Sequence, residues 1–187
     1  MVLRPFLVLP FILLAACGPP PVRVTVPELP ATDRIGVGVT SVELLEVELP
    51  AYADGDEIFI QDGVGLRRAG GVVWGDDPSR AVTLELARAL GELADIPVAP
   101  EPWPYDGDAN VRVDVRVAEF APDVGRAAFV LRGLYFVAAL GDAQGPNRAR
   151  EFALTVPLPD TNPATIAVAR AQAVILLARE IAGDGLQ

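Results

Sequence analysis

Cys17 is the residue of this sequence with the clearest potential for covalent chemistry. It is the only cysteine among 187 residues, and it directly follows an apolar run from Phe6 to Leu14 and the small residues Ala15 and Ala16. A thiolate is the nucleophilic form of cysteine and can take up a lipid group. The small residues before it let a peptidase approach the peptide bond. With no second cysteine, an intramolecular disulfide cannot form.

The segment before Cys17 has the pattern of an export signal. Arg4 lies in a short head, and the apolar run is about half of the roughly 20 residues that a membrane-spanning helix needs. Pro5 and Pro10 also interrupt it, which disfavours a permanent span. Leu14-Ala15-Ala16-Cys17 resembles a bacterial lipobox. We therefore predict that residues 1–16 are a signal peptide and that Cys17 carries diacylglycerol and an N-acyl chain.

The residues after Cys17 predict where the mature chain is held. Three consecutive prolines follow Gly18 and favour a stiff, extended spacer, so residues 17–21 are interpreted as a lipidated tether. In lipoprotein sorting, an aspartate at the position of Gly18 would favour retention in the inner membrane. We therefore expect an outer-membrane protein that faces the periplasm, with residues 22–187 forming one domain.

The sequence lacks the residues that common catalytic and metal sites require. There is no histidine, and Ser41 and Ser79 are the only serines, so a serine triad or a histidine metal site cannot be built. Asp106 begins a segment like a calcium loop, but Val111 and Val117 replace the glycine and the glutamate that such a loop requires. Acidic residues could pair for acid–base work, but they lie in turns, where acids are common: Asp54, Asp56, Glu57, Asp76 and Asp77. We predict no enzyme, no cofactor and no metal.

The net charge of the chain limits which kinds of macromolecule it can bind. The chain has 15 basic and 25 acidic residues, a formal net charge of −10. Removal of residues 1–16 takes away one arginine and no acid, leaving 14 basic and 25 acidic residues and a net charge of −11. Nucleic acid is a poor partner for such a chain because like charges repel.

Residue patterns predict a sheet with two main helices. Strands are indicated where apolar residues alternate or run together: Val22 to Val26, Arg34 to Leu49 as one or two strands, Ile58 to Ile60, Val111 to Val117, Ala127 to Leu140 and Arg150 to Leu158. Gly65 to Ala69 and Gly71 to Trp74 suggest a further small hairpin. The period-two pattern slips at Ala118-Glu119-Phe120, which indicates a bulge or a strand end. Successive strands of this kind predict a mostly antiparallel sheet.

The helices are marked by their caps. Asp77 and Pro78 begin the first, and Val82, Leu86, Leu90 and Leu93 form its apolar stripe. Asn162-Pro163 begin the second, which should run to about Ala182. Its apolar residues cover more than one face, so it either packs on this domain's own sheet or partly meets another subunit. The predicted fold class is α+β.

These features together resemble the ABC-type transport auxiliary lipoprotein family, the PqiC/YmbA-like membrane-integrity subunits. The resemblance rests on the lipobox, Leu49-Pro50-Ala51-Tyr52, Asp56-Glu57-Ile58-Phe59-Ile60, Gly65-Leu66-Arg67-Arg68-Ala69 leading to Trp74, the helix from Pro78 to Ala94, the strand from Val111 to Phe120, the apolar strand after Gly125 and the closing helix. It covers most of the mature chain.

The resemblance implies an accessory role in lipid transport. Such lipoproteins work with a mammalian-cell-entry (MCE) substrate-binding protein and an ABC transporter that moves lipids between the inner and outer membranes. We expect docking to MCE subunits, a ring or other homo-oligomer, and aromatic anchors at Tyr52, Trp74 and Trp103, which we expect to be exposed. The alternative is a lipid carrier with an internal apolar cavity.

Overall fold

One eight-stranded sheet and two helices form a single α+β domain. The structure is a computed structural model and describes residues 19–141 and 145–187. Its elements are β1 (Val22–Val24), β2 (Val42–Leu44), β3 (Glu57–Asp62), β4 (Gly65–Trp74), α1 (Pro78–Ala94), β5 (Val98–Pro100), β6 (Val111–Asp123), β7 (Ala128–Ala139), β8 (Arg148–Pro157), α2 (Pro163–Glu180) and a π-helical turn (Ile181–Gly185). Since all strands share one sheet, no domain boundary divides the described residues.

The sheet is mixed, so the prediction of a mostly antiparallel sheet is wrong. β6, β7 and β8 form the expected antiparallel meander, and β3 and β4 form a hairpin. The short strands β1, β2 and β5 pair in parallel with their neighbours. A parallel pair needs a crossover, and α1 supplies the one between β2 and β5. β7 pairs with β6 along one side of that strand. On the other side of β6, β2 pairs with the beginning of the strand and β3 pairs with its end.

Two predicted strand regions differ from the structure. The run from Arg34 to Leu49 contains only the three-residue β2 and an isolated bridge at Glu48, because its first half bonds elsewhere. The amide of Ile35 donates to the Leu93 carbonyl, and the amide of Gly38 donates to the Leu186 carbonyl. The predicted hairpin around Gly70-Gly71 is also wrong, since β4 is a single strand with an irregularity there and turns back onto β3 at Gly63 instead.

β6 is the longest strand and organises the sheet. Its valines at 111, 113 and 115 are fully buried while the residues between them face away from the helices. The register with β7 shifts between Val117 and Glu119, which confirms the predicted break in period as a bulge within a continuing strand. Gly133 faces this bulge, and a Cβ atom there would overlap the Arg116 carbonyl oxygen. Only glycine permits the two strands to approach so closely.

The helices cover one face of the sheet. Asp77 accepts a hydrogen bond from the Arg80 amide, 2.9 Å away, and caps α1 as predicted. The predicted stripe of Val82, Leu86, Leu90 and Leu93 is fully buried. α2 packs on α1, β7 and β8, so burial within its own domain accounts for its buried residues. Val168 and Leu176 remain partly exposed on its outer side. Within the two described ranges, no helix combines the length and apolar character needed to cross a membrane.

Candidate functional site

Cys17 lies outside the described residues, so its lipidation stays a prediction. The described residues begin two positions later with Pro19, Pro20 and Pro21, all of which are exposed. Val22 follows and begins β1, which pairs with β4. Only four residues therefore separate Cys17 from the first strand, so the predicted lipid anchor is near the folded domain along the chain.

Tyr52 is half-buried and has a structural role. It lies within the turn in which the Ala53 amide donates to the Pro50 carbonyl at 2.7 Å. Its hydroxyl oxygen accepts a hydrogen bond from the Phe120 amide, 2.9 Å away, beside the bulge in β6. Its ring also meets Phe59 edge to face, with 6.3 Å between centroids. Burial raises the pKa of Tyr52, although the bond from Phe120 acts in the opposite direction. These contacts join the turn to the bulge.

We expect Tyr52→Phe to lower the free energy of unfolding by about 1–3 kcal/mol, because the buried Phe120 amide loses its acceptor. The raised folded-state pKa means that wild-type stability falls as pH rises above the ordinary tyrosine value of 10.0. Part of that fall should be missing in Tyr52→Phe. Urea unfolding of a soluble form without residues 1–17, between pH 7 and pH 11, tests both effects. Tyr105→Phe is the control, and an equal loss in both variants would contradict the structural role.

Trp74 is not exposed, which corrects our expectation. Only 3% of it is accessible, because the Arg170 guanidinium lies 4.8 Å from its ring centroid and covers it. Arg170 is itself 2% exposed and also lies 5.9 Å from the Phe120 ring. The cation–π contact joins α2 to the end of β4. Trp74 therefore belongs to the core and cannot meet a partner in this conformation.

An ion pair inside the domain holds Arg170. Its Nη2 atom lies 3.1 Å from Oε1 of Glu85 on α1. Burial lowers the pKa of Arg170 and raises the pKa of Glu85, while each partner's charge opposes the shift of the other. Arg170 Nε and Glu85 Oε2 are buried without hydrogen-bond partners. Both residues line a cavity of about 320 Å³ beside β1, together with Val24 and Gly75. Sequence reasoning missed this pair, since 84 residues lie between its members.

Trp103, the third predicted aromatic, lies beside an exposed tyrosine. It is half-buried in the proline-rich loop after β5, and its indole nitrogen has no hydrogen-bond partner. Its ring meets Tyr105 edge to face at 4.9 Å, and Tyr105 is 57% exposed. Tyr105 was missed in the sequence, although its place two residues after Trp103 in the same loop was a usable signal. The structure thus brings an aromatic pair to the surface.

The acidic turns do not form a catalytic dyad within the described residues. Asp54 accepts a hydrogen bond from Ser79 Oγ at 2.9 Å, and Glu57 pairs with Arg68 at 2.7 Å. Asp76 pairs with Arg80, whose amide Asp77 caps. In the described ranges, no group of three or more potential ligands is placed to hold a metal ion.

A second acidic group lies in an open groove beside β2. The groove has a volume of about 440 Å³, and its acidic lining residues are Glu46, Glu48, Asp54, Glu101 and Asp114. Arg116 lies at its edge and pairs with Asp114 at 2.7 Å. The groove gives this part of the surface a negative potential that favours basic groups.

The sheet face opposite the helices is a network of ion pairs that sequence reasoning also missed. Arg112 pairs with Glu43 at 2.7 Å, and both Arg126 and Arg132 pair with Glu119 at 3.0 and 3.2 Å. The two glutamates are buried beneath their arginine partners. The charges of these two buried glutamates are thus neutralised within the domain.

The observations define an α+β domain with a prolyl tether and without an assembled catalytic or metal centre in its described part. The chain belongs to the family of ABC-type transport auxiliary lipoprotein components, whose sequence profile matches residues 24–182. It is therefore an auxiliary component of ABC-type transport, which confirms the family predicted from the sequence.

Solved structures share the fold. An uncharacterised protein superposes with a TM-score of 0.68 at 17% identity, covering 86% of this chain and 97% of its own. A Xanthomonas campestris protein, assigned to the DUF330 family, superposes with a TM-score of 0.64 at 19% identity, covering 89% of this chain and 92% of its own. No curated protein matches the chain.

Proposed function

We propose that this protein is a non-catalytic outer-membrane lipoprotein, facing the periplasm, that serves an MCE-type ABC lipid transport system. The observation that carries the proposal is the family match over residues 24–182, which names an auxiliary lipoprotein component of ABC-type transport. The lipobox at Cys17 supplies the anchor, and Gly18 favours the outer membrane over retention in the inner membrane. The partner is the MCE-domain substrate-binding protein, with homo-oligomers as a further form of assembly.

Surface aromatics support a docking role. The Trp103–Tyr105 pair lies in the loop after β5, where Pro102 and Pro104 flank Trp103 and limit the conformational freedom of the loop. Rigid aromatic side chains contribute strongly to protein interfaces because they bury a large area at little entropic cost. This loop comes directly after Glu101, which lines the acidic groove together with Glu46. A partner that carries an apolar contact surface next to basic residues therefore fits this side of the domain.

The alternative function, a lipid carrier, requires an apolar interior large enough for acyl chains. The cavity among Tyr52, Ile58, Trp74, Phe120 and Phe129 has a volume of about 10 Å³, which is space for one water molecule. The 320 Å³ cavity beside β1 has the charged groups of Arg170 and Glu85 in its wall. Neither space suits an acyl chain, and the docking role is the better supported of the two.

Native mass spectrometry of a soluble form lacking Cys17 tests the proposal. Co-expression with the MCE-domain protein encoded nearest to this gene should give a complex, and Tyr105→Ala should reduce its fraction several-fold. Leu176→Ala is the matched control, because Leu176 is also exposed but lies on α2, in a groove with Val156 of β8. A monomer that retains phospholipid and forms no complex would favour the carrier and overturn the docking role.

A further inference from the structure

Three exposed aliphatic side chains lie in or beside two adjacent turns at one end of the sheet. Val64 is fully exposed in the β3–β4 turn, and Leu66, the second residue of β4, is 43% exposed. Val124 is 44% exposed in the β6–β7 turn. The two turns are neighbours, because the Val124 amide donates to the Gln61 carbonyl at 3.0 Å. We call Val64, Leu66 and Val124 the apolar edge. Single exposed aliphatics need no explanation, but a group at one edge does.

The parallel pairing of β1 fixes the direction in which the tether leaves the domain. Val22 lies opposite Val72, and Val24 lies opposite Trp74. Because β1 and β4 run the same way, the chain before Val22 heads toward the beginning of β4 at Gly65. Gly65 directly follows Val64 at the β3–β4 turn. A backward extension of β1 along this line therefore leads toward the apolar edge.

The length of the tether matches the remaining distance. β3 runs beside β4 from Glu57, opposite Val73, to Asp62, opposite Gly65. Those five residue steps correspond to about 17 Å along the sheet. Cys17 is five residues before Val22, and five extended residues span about 17 Å as well. Prolines 19–21 resist folding back, so the sulfur of Cys17 can reach the level of the apolar edge.

We infer that the apolar edge contacts the surface of the bilayer that holds the acyl chains of Cys17. The inference rests on the lipidation proposed above and adds a fixed orientation of the domain. Lipid is the occupant that the anchor brings to this edge, and apolar side chains gain free energy in the interfacial layer of a membrane. The charge at the hairpin is nearly balanced, since Arg67 and Asp62 are both exposed. Apolar contact rather than charge therefore provides the main attraction.

Site-directed spin labelling of the lipidated full chain tests this orientation. The sulfur of Cys17 is bonded to diacylglycerol as a thioether in that protein, so Val64→Cys and Val124→Cys each supply the only free thiol for a nitroxide. Leu84→Cys is the matched control, because Leu84 is 43% exposed and lines a groove with Pro100, in the half of the sheet away from the apolar edge. All three proteins are reconstituted into vesicles of phosphatidylethanolamine and phosphatidylglycerol.

The readout is the ratio of collisions with oxygen, which concentrates in lipid, to collisions with a water-soluble nickel complex. We expect this ratio to be several-fold higher at positions 64 and 124 than at position 84. Equal ratios at the three positions, in protein that floats with the vesicles, would overturn the orientation and leave the proposed anchor intact. Failure of the wild-type chain to float or to carry lipid would instead overturn the anchor, and the orientation with it.

Discussion

A Cys17→Ala chain is expected to incorporate no radiolabelled palmitate and to be absent from the outer-membrane fraction, in which we expect nearly all of the wild-type chain. The thiol sulfur is the atom that would accept diacylglycerol, and alanine offers no nucleophile in its place. Each methylene group buried in the membrane contributes about 0.8 kcal/mol, and stable attachment needs more than one acyl chain. Loss of that sulfur therefore removes the attachment altogether. Palmitate labelling followed by membrane fractionation measures both effects.

Gly18→Asp is the matched control for this experiment. It leaves the thiol in place, so palmitate labelling should persist while the protein shifts toward the inner membrane. Labelling of Cys17→Ala at the wild-type level, or full recovery of the wild-type precursor in the cytosol, would contradict the assignment of Cys17.

Glu85→Ala is expected to lower the free energy of unfolding by about 3 kcal/mol, because it leaves the buried guanidinium of Arg170 without its counter-charge. The pair itself need not stabilise the fold, since burial of both charges costs about as much as their attraction returns. The double variant Glu85→Met/Arg170→Met should therefore recover most of the loss. A double-mutant cycle of Glu85→Met, Arg170→Met and their double variant, measured by urea unfolding of the soluble form without residues 1–17, separates these contributions.

Glu92→Ala serves as the control on the same helix. Glu92 pairs with Arg88 at 2.7 Å, but it is partly exposed, and exposed pairs contribute about 0–1 kcal/mol. A loss in Glu85→Ala no larger than in Glu92→Ala would show that the buried pair is not maintained in solution.

Elements with a local signal could be predicted from the sequence. The Asp77 cap, the stripe from Val82 to Leu93 and the alternation from Val111 to Val117 each depend on near neighbours along the chain, and the structure confirms all three. The bulge was also visible, because a shift of one residue in a period-two pattern exchanges the two faces of the strand.

Features that depend on distant residues could not be predicted. Trp74 looks like a surface anchor until Arg170, on the last helix, is known to cover it. The segment before β2 has the alternation of a strand, but the amides of Ile35 and Gly38 bond to carbonyls of α1 and the carboxyl-terminal turn. Parallel pairing of β1, β2 and β5 likewise arises from tertiary contacts that three-residue strands do not encode.

Because β6 is long, a small tilt of the strand moves its far end by a large distance. Its 13 residues extend about 40 Å, from the turn at Val124 to the end at which Val111 pairs with Ala139. If a single flexible tether allowed the strand to tilt by about 20°, its far end would move sideways by roughly 14 Å, because the strand is about 40 Å long. Two neighbouring turns resting on lipid would restrict that swing. A rigid partner could then find the far end at a constant height and position.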